Sequence, residues 1–125
     1  MLAKQIENTS DRYWITSVGD VYGPRGKRKP HESHNGYRYV GYKDDDGKRK
    51  QMKVSRLVAL AFIPNPENKK TVDHINHDRH DDNIMNLRWA TYKEQIANQR
   101  KNLTLEQKTP ERRRKARQRA MEVSL

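Results

Sequence analysis

Residues 71–91 decide the fold, and they read TVDHINHDRHDDNIMNLRWAT. Residues 72–75 and 86–91 have the apolar and aromatic composition of short strands, and the polar stretch 76–85 between them is predicted to be a loop. Residues 92–101 (YKEQIANQRK) contain good helix formers and no helix breaker. The sequence therefore predicts a strand, a loop, a second strand and a helix, in that order.

This stretch gathers acids, amides and imidazoles in a chain that is otherwise strongly basic. It holds three histidines, four aspartates and three asparagines. The whole chain of 125 residues has 27 Lys and Arg against 16 Asp and Glu, a net charge of +11. Such an excess favours a polyanionic partner, because each phosphate that is neutralised releases counterions. Nucleic acid is preferred as the partner over a ribosomal surface or an anionic membrane.

Composition also limits the fold and the chemistry. A hydrophobic content of 32% and a mean hydropathy of −1.28 allow one modest domain with a small core. The chain has no cysteine, which excludes disulfides and thiolate zinc sites, so any metal must be held by oxygen and imidazole. No apolar run approaches the roughly 20 residues that span a bilayer, and the N-terminus lacks the apolar region of a signal peptide. We therefore expect a cytoplasmic protein with no membrane partner.

The first half of the chain is predicted to form a β-rich module. We expect a flexible N-terminus at residues 1–11, followed by the module at residues 12–66. Short strands are predicted at 12–16 and 20–22, where apolar and aromatic residues are bounded by turn residues. Residues 23–36 combine glycine, proline and basic residues without periodicity, so they are predicted to be a loop or arm.

A β-hairpin and a buried helix complete this module. The sequence DDDG at residues 44–47 predicts a turn between strands at 36–43 and 48–54. Residues 55–62 (SRLVALAF) form the most hydrophobic stretch of the chain and predict a short buried helix, with Ser55 as its N-cap. Two prolines just beyond this stretch end the helix. We expect the helix to lie at the centre of the core.

The tyrosines of the hairpin allow two interpretations. Tyr37 and Tyr39 fall on one face of their strand, and Tyr42 is expected on the opposite face, with Val40, unless Gly41 makes a bulge. Tyrosines beside basic residues can stack on nucleic-acid bases. The interpretation that we favour is that they cover the small core.

The pair Asp73-His74 contains the groups that phosphodiester cleavage requires. Histidine is the natural base near neutral pH, and a carboxylate can hold Mg²⁺, which stabilises charge on the phosphate and on the leaving oxygen. Neighbours on an ideal strand point to opposite faces, so the two side chains can converge on one phosphate only where the strand ends or bends. The polar run that starts at Asn76 predicts such an end.

The same histidines and aspartates have simpler interpretations. His74, His77 and His80 are spaced by three, which on a helix would suggest a zinc site, but a stretch rich in Asn and Asp disfavours a helix. Otherwise the polar side chains that follow His74 are loop residues in water, namely His77, Asp78, His80, Asp81 and Asp82.

Taken together, these features resemble the sequence pattern of a known protein family. Asp73-His74, the run Asn86-Leu87-Arg88-Trp89 and the helix after it stand in the order that is typical of the HNH endonucleases. Upstream, WITSVGDVY (14–22), GYRYVGYKDDDGK (36–48) and VSRLVALAFIPNP (54–66) resemble the module that precedes this motif in homing endonucleases of phages, mobile introns and large viruses. The resemblance covers residues 12–101. It implies an α+β fold in which a small ββα-metal nuclease motif, residues 67–101, follows the hairpin-rich module.

The resemblance also implies a role for each residue of the motif. Asp73 would bind one divalent metal, His74 would be the general base that activates water, and Asn86 would brace the loop and orient His74. The last metal ligand of the family, usually His or Asn, falls at Gln95, and Asn98, one turn later, is the alternative. Mg²⁺ is the expected cofactor, with Mn²⁺ as the alternative.

Contacts with the phosphates of the DNA backbone are expected from basic residues other than Asp73 and His74. Arg88 lies on the second strand, and Lys93 and Arg100 lie on the helix. Residues 102–125 are predicted to be a basic C-terminal helix or tail, since residues 101–125 hold eight basic residues against three acidic ones. The phosphate contacts predicted for this tail are Arg112, Arg113, Arg114, Lys115, Arg117 and Arg119. A merely solvated terminus is the alternative.

Three classes of function compete. The first is a metal-dependent HNH endonuclease that nicks or cuts double-stranded DNA. The second is a catalytically degenerate HNH-fold protein that only binds nucleic acid, which is favoured by Gln95 and by Ser55, where the family usually has His. The third is a ribosome-associated basic protein, which explains the charge but not the Asp73-His74 pair with Asn86.

Overall fold

The first sheet of the computed structural model contains residues that the sequence assigns to a flexible terminus and a loop. The structure describes residues 2–101, and of residues 99–101 only the backbone. Four antiparallel strands lie in the order β1-β2-β3-β4. They are β1 (Ala3–Gln5), β2 (Trp14–Thr16), β3 (Val21–Gly23) and β4 (Gly26–Arg28).

The prediction of a flexible N-terminus at residues 1–11 is wrong for the part that the structure describes. Strand β1 pairs with β2, with Ala3 opposite Thr16. Ile6 and Thr9 are buried, and the Thr9 hydroxyl donates to the Ile6 carbonyl over 2.6 Å. The segment is polar and has no strand pattern of its own. Its strand forms only because β2, about a dozen residues further along the chain, pairs with it, and local composition does not indicate such a pairing.

The second sheet is built on the predicted hairpin. Strand β5 (His31–Glu32) pairs with β6 (Arg38–Lys43), which pairs with β7 (Arg49–Lys53). Strands β4 and β5 both fall within residues 23–36, so the prediction of a loop or arm there is wrong in part. The turn forms at the predicted place, where the Asp44 carboxylate accepts hydrogen bonds from the backbone N–H groups of Asp46 and Lys48.

The register of this hairpin settles the orientation of its tyrosines. Strands β6 and β7 pair without interruption from Tyr39 to Lys43, so Gly41 makes no bulge. Val40 and Tyr42 are both buried, as expected for residues that share a face. Tyr42 belongs to the core, whereas Tyr37 and Tyr39 are only half-buried.

Helix α1 (Val54–Phe62) lies at the centre of the core, as predicted. Val54, Val58 and Leu57 are almost fully buried, and they pack with residues of both sheets. The prediction of Ser55 as the N-cap is wrong. Lys53 is the N-cap residue and makes no side-chain capping bond, while Ser55 lies inside the helix and is buried. The extended chain of β7 leads directly into the helix, which moves the helix start ahead of the serine.

The strand pair predicted from residues 71–91 is present. Strand β8 (Thr71–His74) pairs antiparallel with β9 (Leu87–Ala90), and one turn of 3-10 helix (Ile84–Asn86) precedes β9. Leu87 joins the same core as α1 and the two upstream sheets, so the upstream module supports the strand pair directly. Helix α2 (Tyr92–Lys101) follows, and a second compact unit of the chain begins at Lys93. Among the described residues, no helix is long and apolar enough to cross a bilayer.

Candidate active site

The end of β8 places Asp73 and His74 at the edge of the 75–83 loop. In the β8–β9 register, Asp73 lies opposite Arg88 and His74 lies opposite Leu87. Both side chains are buried, with 3% and 4% of the residue exposed. Asp73 Oδ2 accepts a hydrogen bond from Arg88 Nε over 3.1 Å. A buried carboxylate and a buried imidazole therefore occupy the last two positions of the regular strand, each with its own partner.

Asn86 closes the loop that follows His74. Its carbonyl oxygen Oδ1 accepts from the backbone N–H of Asn76 over 3.0 Å, and its Nδ2 donates to the carbonyl of Asp81 over 2.9 Å. Its backbone carbonyl accepts from Ile75 N over 2.8 Å. One buried amide thus ties both ends of the loop to the start of β9, which is the geometry that a bracing residue requires.

Asp82 is a residue of the site that the sequence interpretation missed. It was expected to be solvated, but it is 2% exposed, and its Oδ1 lies 2.7 Å from His74 Nε2. The expectation fails because the loop folds back over eight residues and brings this carboxylate onto the imidazole. No local pattern separates Asp82 from Asp78, which is exposed.

Arg38 holds Asp82 from the other side. Its Nε lies 2.8 Å from Asp82 Oδ2, and its Nη2 donates to the Gly19 carbonyl over 3.2 Å. Arg38 stands on β6, so the upstream module supplies the cation that fixes this carboxylate. A chain of contacts therefore runs from β6 through Asp82 to His74, and each oxygen of Asp82 has its own partner.

Gly19 is packed so closely against this pair that a side chain there should disturb it. Its φ is +87°, and a Cβ would come within 2.9 Å of Asp82 Cβ and 3.0 Å of Arg38 Nη2. We predict that Gly19→Ala lowers the free energy of unfolding by more than the about 1–3 kcal/mol of backbone strain alone. It should also slow any reaction that depends on His74. Denaturant unfolding and DNA cleavage measure the two effects.

Gly26→Ala is the matched control for this variant. Gly26 has a φ of +107°, and a Cβ there would meet no atom within 4 Å. The control therefore carries backbone strain without the clash. Equal losses of stability in the two variants, with equal cleavage, would show that the Gly19 contact with Asp82 is unimportant.

The two histidines of the loop, His77 and His80, are not grouped with His74 into a metal site. Residues 75–83 form turns and not a helix, which removes the geometry for a three-imidazole zinc site. His77 adopts a positive φ of 70°, and its backbone N–H donates to the His74 carbonyl. His80 Nε2 lies 2.9 Å from Glu32 Oε1, at the surface. Within residues 2–98, no three His, Asp or Glu side chains are grouped to hold a metal ion.

The remaining predicted residues are dispersed along the second half of the chain. Lys93, Gln95, Asn98 and Arg100 all fall on α2, almost all of which belongs to the second compact unit. Arg88 is exposed on β9 but already donates to Asp73. The predicted phosphate contacts at residues 112–119 lie outside the described residues.

Comparison with known proteins shows which family this arrangement is similar to. A paired ribbon that ends in Asp-His, an asparagine-braced loop and a following helix together define a ββα protein with a candidate hydrolytic site. Residues 52–96 match the family model described as HNH endonuclease. This segment therefore matches the HNH endonuclease family, to which the sequence was predicted to be similar.

Individual relatives agree with this assignment. The chain is 34% identical over 104 residues to the DNA endonuclease I-HmuI of Bacillus phage SP01, covering 82% of this chain and 59% of the relative. It is 36% identical over 93 residues to an uncharacterised HNH endonuclease of Acanthamoeba polyphaga mimivirus, covering 73% of this chain and 28% of the relative. The chain thus spans between about a quarter and three fifths of the length of these curated relatives.

A solved structure shares the fold. The structure described as DNA binding and cleavage by the HNH homing endonuclease I-HmuI matches with a TM-score of 0.75 and 31% identity. The match covers 86% of this chain and 63% of the other. It extends well beyond the HNH motif, so the fold shared with the homing endonuclease includes upstream residues.

Proposed function

We propose that this chain is a metal-dependent DNA endonuclease that hydrolyses phosphodiester bonds in double-stranded DNA. The observation that carries the proposal is the Asp73-His74 pair at the end of β8, with Asp82 on the far nitrogen of the imidazole. The family of residues 52–96 and the names of the relatives support nuclease chemistry on DNA. The net charge of +11 suits a polyanionic substrate.

His74 is arranged to take a proton from water. An ionised Asp82 accepts the proton-bearing Nε2–H, which leaves the lone pair on Nδ1. Within residues 2–98 no hydrogen bond to Nδ1 is formed, so its lone pair is free to accept a proton. Nδ1 is therefore the atom that receives the proton of the attacking water. This assignment follows the logic by which a carboxylate fixes the tautomer of a catalytic histidine.

Asp73 is the residue that would hold the metal. It is a buried carboxylate beside the base, and hard divalent cations take carboxylate, amide and water oxygens as ligands. Amide oxygens of Gln95 or Asn98 would complete the set. A bound Mg²⁺ or Mn²⁺ supplies stabilisation of the negative charge that develops on the leaving oxygen. Asp82 is already bound to His74 and Arg38, which favours one metal over two.

Nicking of supercoiled plasmid tests this function. We predict that purified protein converts supercoiled DNA to the open circle in Mg²⁺ or Mn²⁺ and that EDTA abolishes the conversion. A single site cuts one strand at a time, so the open circle should precede the linear form. Gel electrophoresis over time measures both products. Conversion that persists in EDTA would contradict the metal dependence.

A degenerate nucleic-acid-binding protein is the second candidate. The observations that favour it are Gln95, where the family usually has His or Asn, and Ser55, where it usually has His. Ser55 is 3% exposed in the first turn of α1, so here the position serves packing. Tight, salt-sensitive DNA binding without nicking in any metal would support this candidate. The variant Gln95→Asn would then be expected to restore cleavage.

A further inference from the structure

Two cations lie over one tyrosine ring beside the candidate base. Lys53 Nζ lies 3.9 Å from the centroid of the Tyr37 ring, and the Arg79 guanidinium carbon lies 4.4 Å from the same centroid. The Tyr37 ring is 5.9 Å from the His74 ring, centre to centre. We refer to Tyr37, Lys53 and Arg79 as the Tyr37 cluster. Its members come from three separate segments that the fold brings together.

The positive charges of this cluster have no acidic partner among the described residues. Arg79 donates to the Asn35 carbonyl, and neither Lys53 nor Arg79 forms an ion pair within residues 2–98. A third cation, Arg56, lies nearby on the first turn of α1, and that turn contains no acidic residue. Lys53 and Arg79 therefore lie close to the candidate base, within the field of a third cation and without an acidic partner among the described residues.

The crowding has an energetic cost that a structural role does not explain. Burial first, and then the charges of Arg79 and Arg56, lower the pKa of Lys53 below its usual value. One cation over an aromatic ring can be stabilising by itself. A second cation on the same ring adds repulsion between the two, and a polyanion bound there would relieve it. The cluster is therefore arranged for an anion that the protein does not itself supply.

We propose that the Tyr37 cluster binds a backbone phosphate of the DNA strand that is cut, next to the phosphate attacked at His74. This inference rests on the proposed function. It also argues against base stacking by Tyr37, because two cations already lie over the ring. Tyr37 instead positions Lys53 and Arg79 around the phosphate.

Salt-dependent DNA binding tests the cluster without requiring cleavage. The variants are Lys53→Gln, Arg79→Gln and the double variant, each in the full chain carrying His74→Ala so that the DNA stays intact. Fluorescence anisotropy with a labelled duplex gives the dissociation constant from low to high salt. Each lost phosphate contact should reduce the slope of log K against log salt by about 0.9. Because both cations surround one phosphate, the double variant should lose about 0.9 and each single variant a part of that loss.

Arg49→Gln is the matched control. Arg49 lies on the same strand as Lys53, four residues earlier and therefore about 13 Å away, and it is exposed. The Arg49→Gln variant removes one positive charge, as each single variant does, but leaves the Tyr37 cluster intact. The slope of log K against log salt for this control should therefore stay nearer that of the parent protein. A double variant whose slope equals that of Arg49→Gln would overturn the proposal. If thermal unfolding shows that the double variant is not folded, the two single variants decide. Each should then have a smaller slope than Arg49→Gln, by at most about 0.9.

The two proposals fail in different ways. A parent protein that binds DNA with the expected slope but never nicks it would refute the nuclease and leave the phosphate site standing. A parent that nicks DNA while the double variant keeps the control slope would refute only the phosphate site. Absence of any DNA binding by the parent would refute the phosphate site whatever the cleavage result.

Discussion

His74→Ala is expected to lower the rate of DNA cleavage by about 10²–10⁴-fold, the usual contribution of a positioned general base. The reason is that Nδ1 is the proton-accepting nitrogen of an imidazole whose other nitrogen is already bound by Asp82. Binding of DNA should remain close to that of the parent, because backbone contacts come from other residues. Plasmid nicking under saturating metal and anisotropy in EDTA measure the two quantities on one preparation.

His80→Ala is the control for this variant. His80 belongs to the same loop, but it is exposed and pairs with Glu32 at the surface. It should cut at nearly the parent rate. Since His74 is buried, its removal also leaves a cavity, so the melting temperature of each variant must show that the protein is folded at the assay temperature. If folded His74→Ala cuts as fast as the parent, His74 is not the base.

Asp82→Asn is expected to have the second largest effect, a fall in kcat of up to about 10⁴-fold, which is the scale seen when a tautomer-fixing aspartate becomes asparagine. An asparagine amide can donate to His74 Nε2, which would move the ring proton to Nδ1 and remove the lone pair that accepts from water. Affinity for DNA should change little, because Asp82 is buried. Single-turnover cleavage at saturating protein separates these two quantities.

Two further variants distinguish a positioning role from a structural one. Asp78→Asn changes an exposed aspartate of the same loop and should leave cleavage unchanged. Arg38→Gln removes the ion pair of Asp82 but keeps the contact with His74, so it should reduce stability more than it reduces kcat. A kcat for folded Asp82→Asn that matches the parent, or a loss that Arg38→Gln reproduces in full, would make Asp82 a structural residue only.

Much of the fold could be predicted from the sequence because the relevant signals are local. The DDDG turn and the run of apolar residues at 55–62 predicted the hairpin and α1, and both are present. The strand pair around the 76–85 loop was predicted to within about one residue at its outer ends. Such signals act between residues a few positions apart, where chain geometry limits the possible partners.

The candidate site was predictable only in part. Asp73, His74 and Asn86 were identified because residue type and spacing match a family pattern. Asp82 was not, since its neighbours Asp78 and Asp81 have the same chemistry and only burial distinguishes it. Arg38 lies 44 residues from Asp82, and Tyr37 precedes β6 whereas His74 ends β8, so no spacing rule links either pair.

The sequence by itself determined the hairpin, α1, the strand-loop-strand-helix order of residues 71–101, the positive charge, and the Asp-His pair with its asparagine. Tertiary structure decided which carboxylate holds the imidazole and which cations lie beside it. The physical reason is that Leu87 packs into the core that α1 shares with both upstream sheets. That packing brings β6, the end of β7 and the 75–83 loop together, and an acid becomes a partner of His74 only when the core has placed it there.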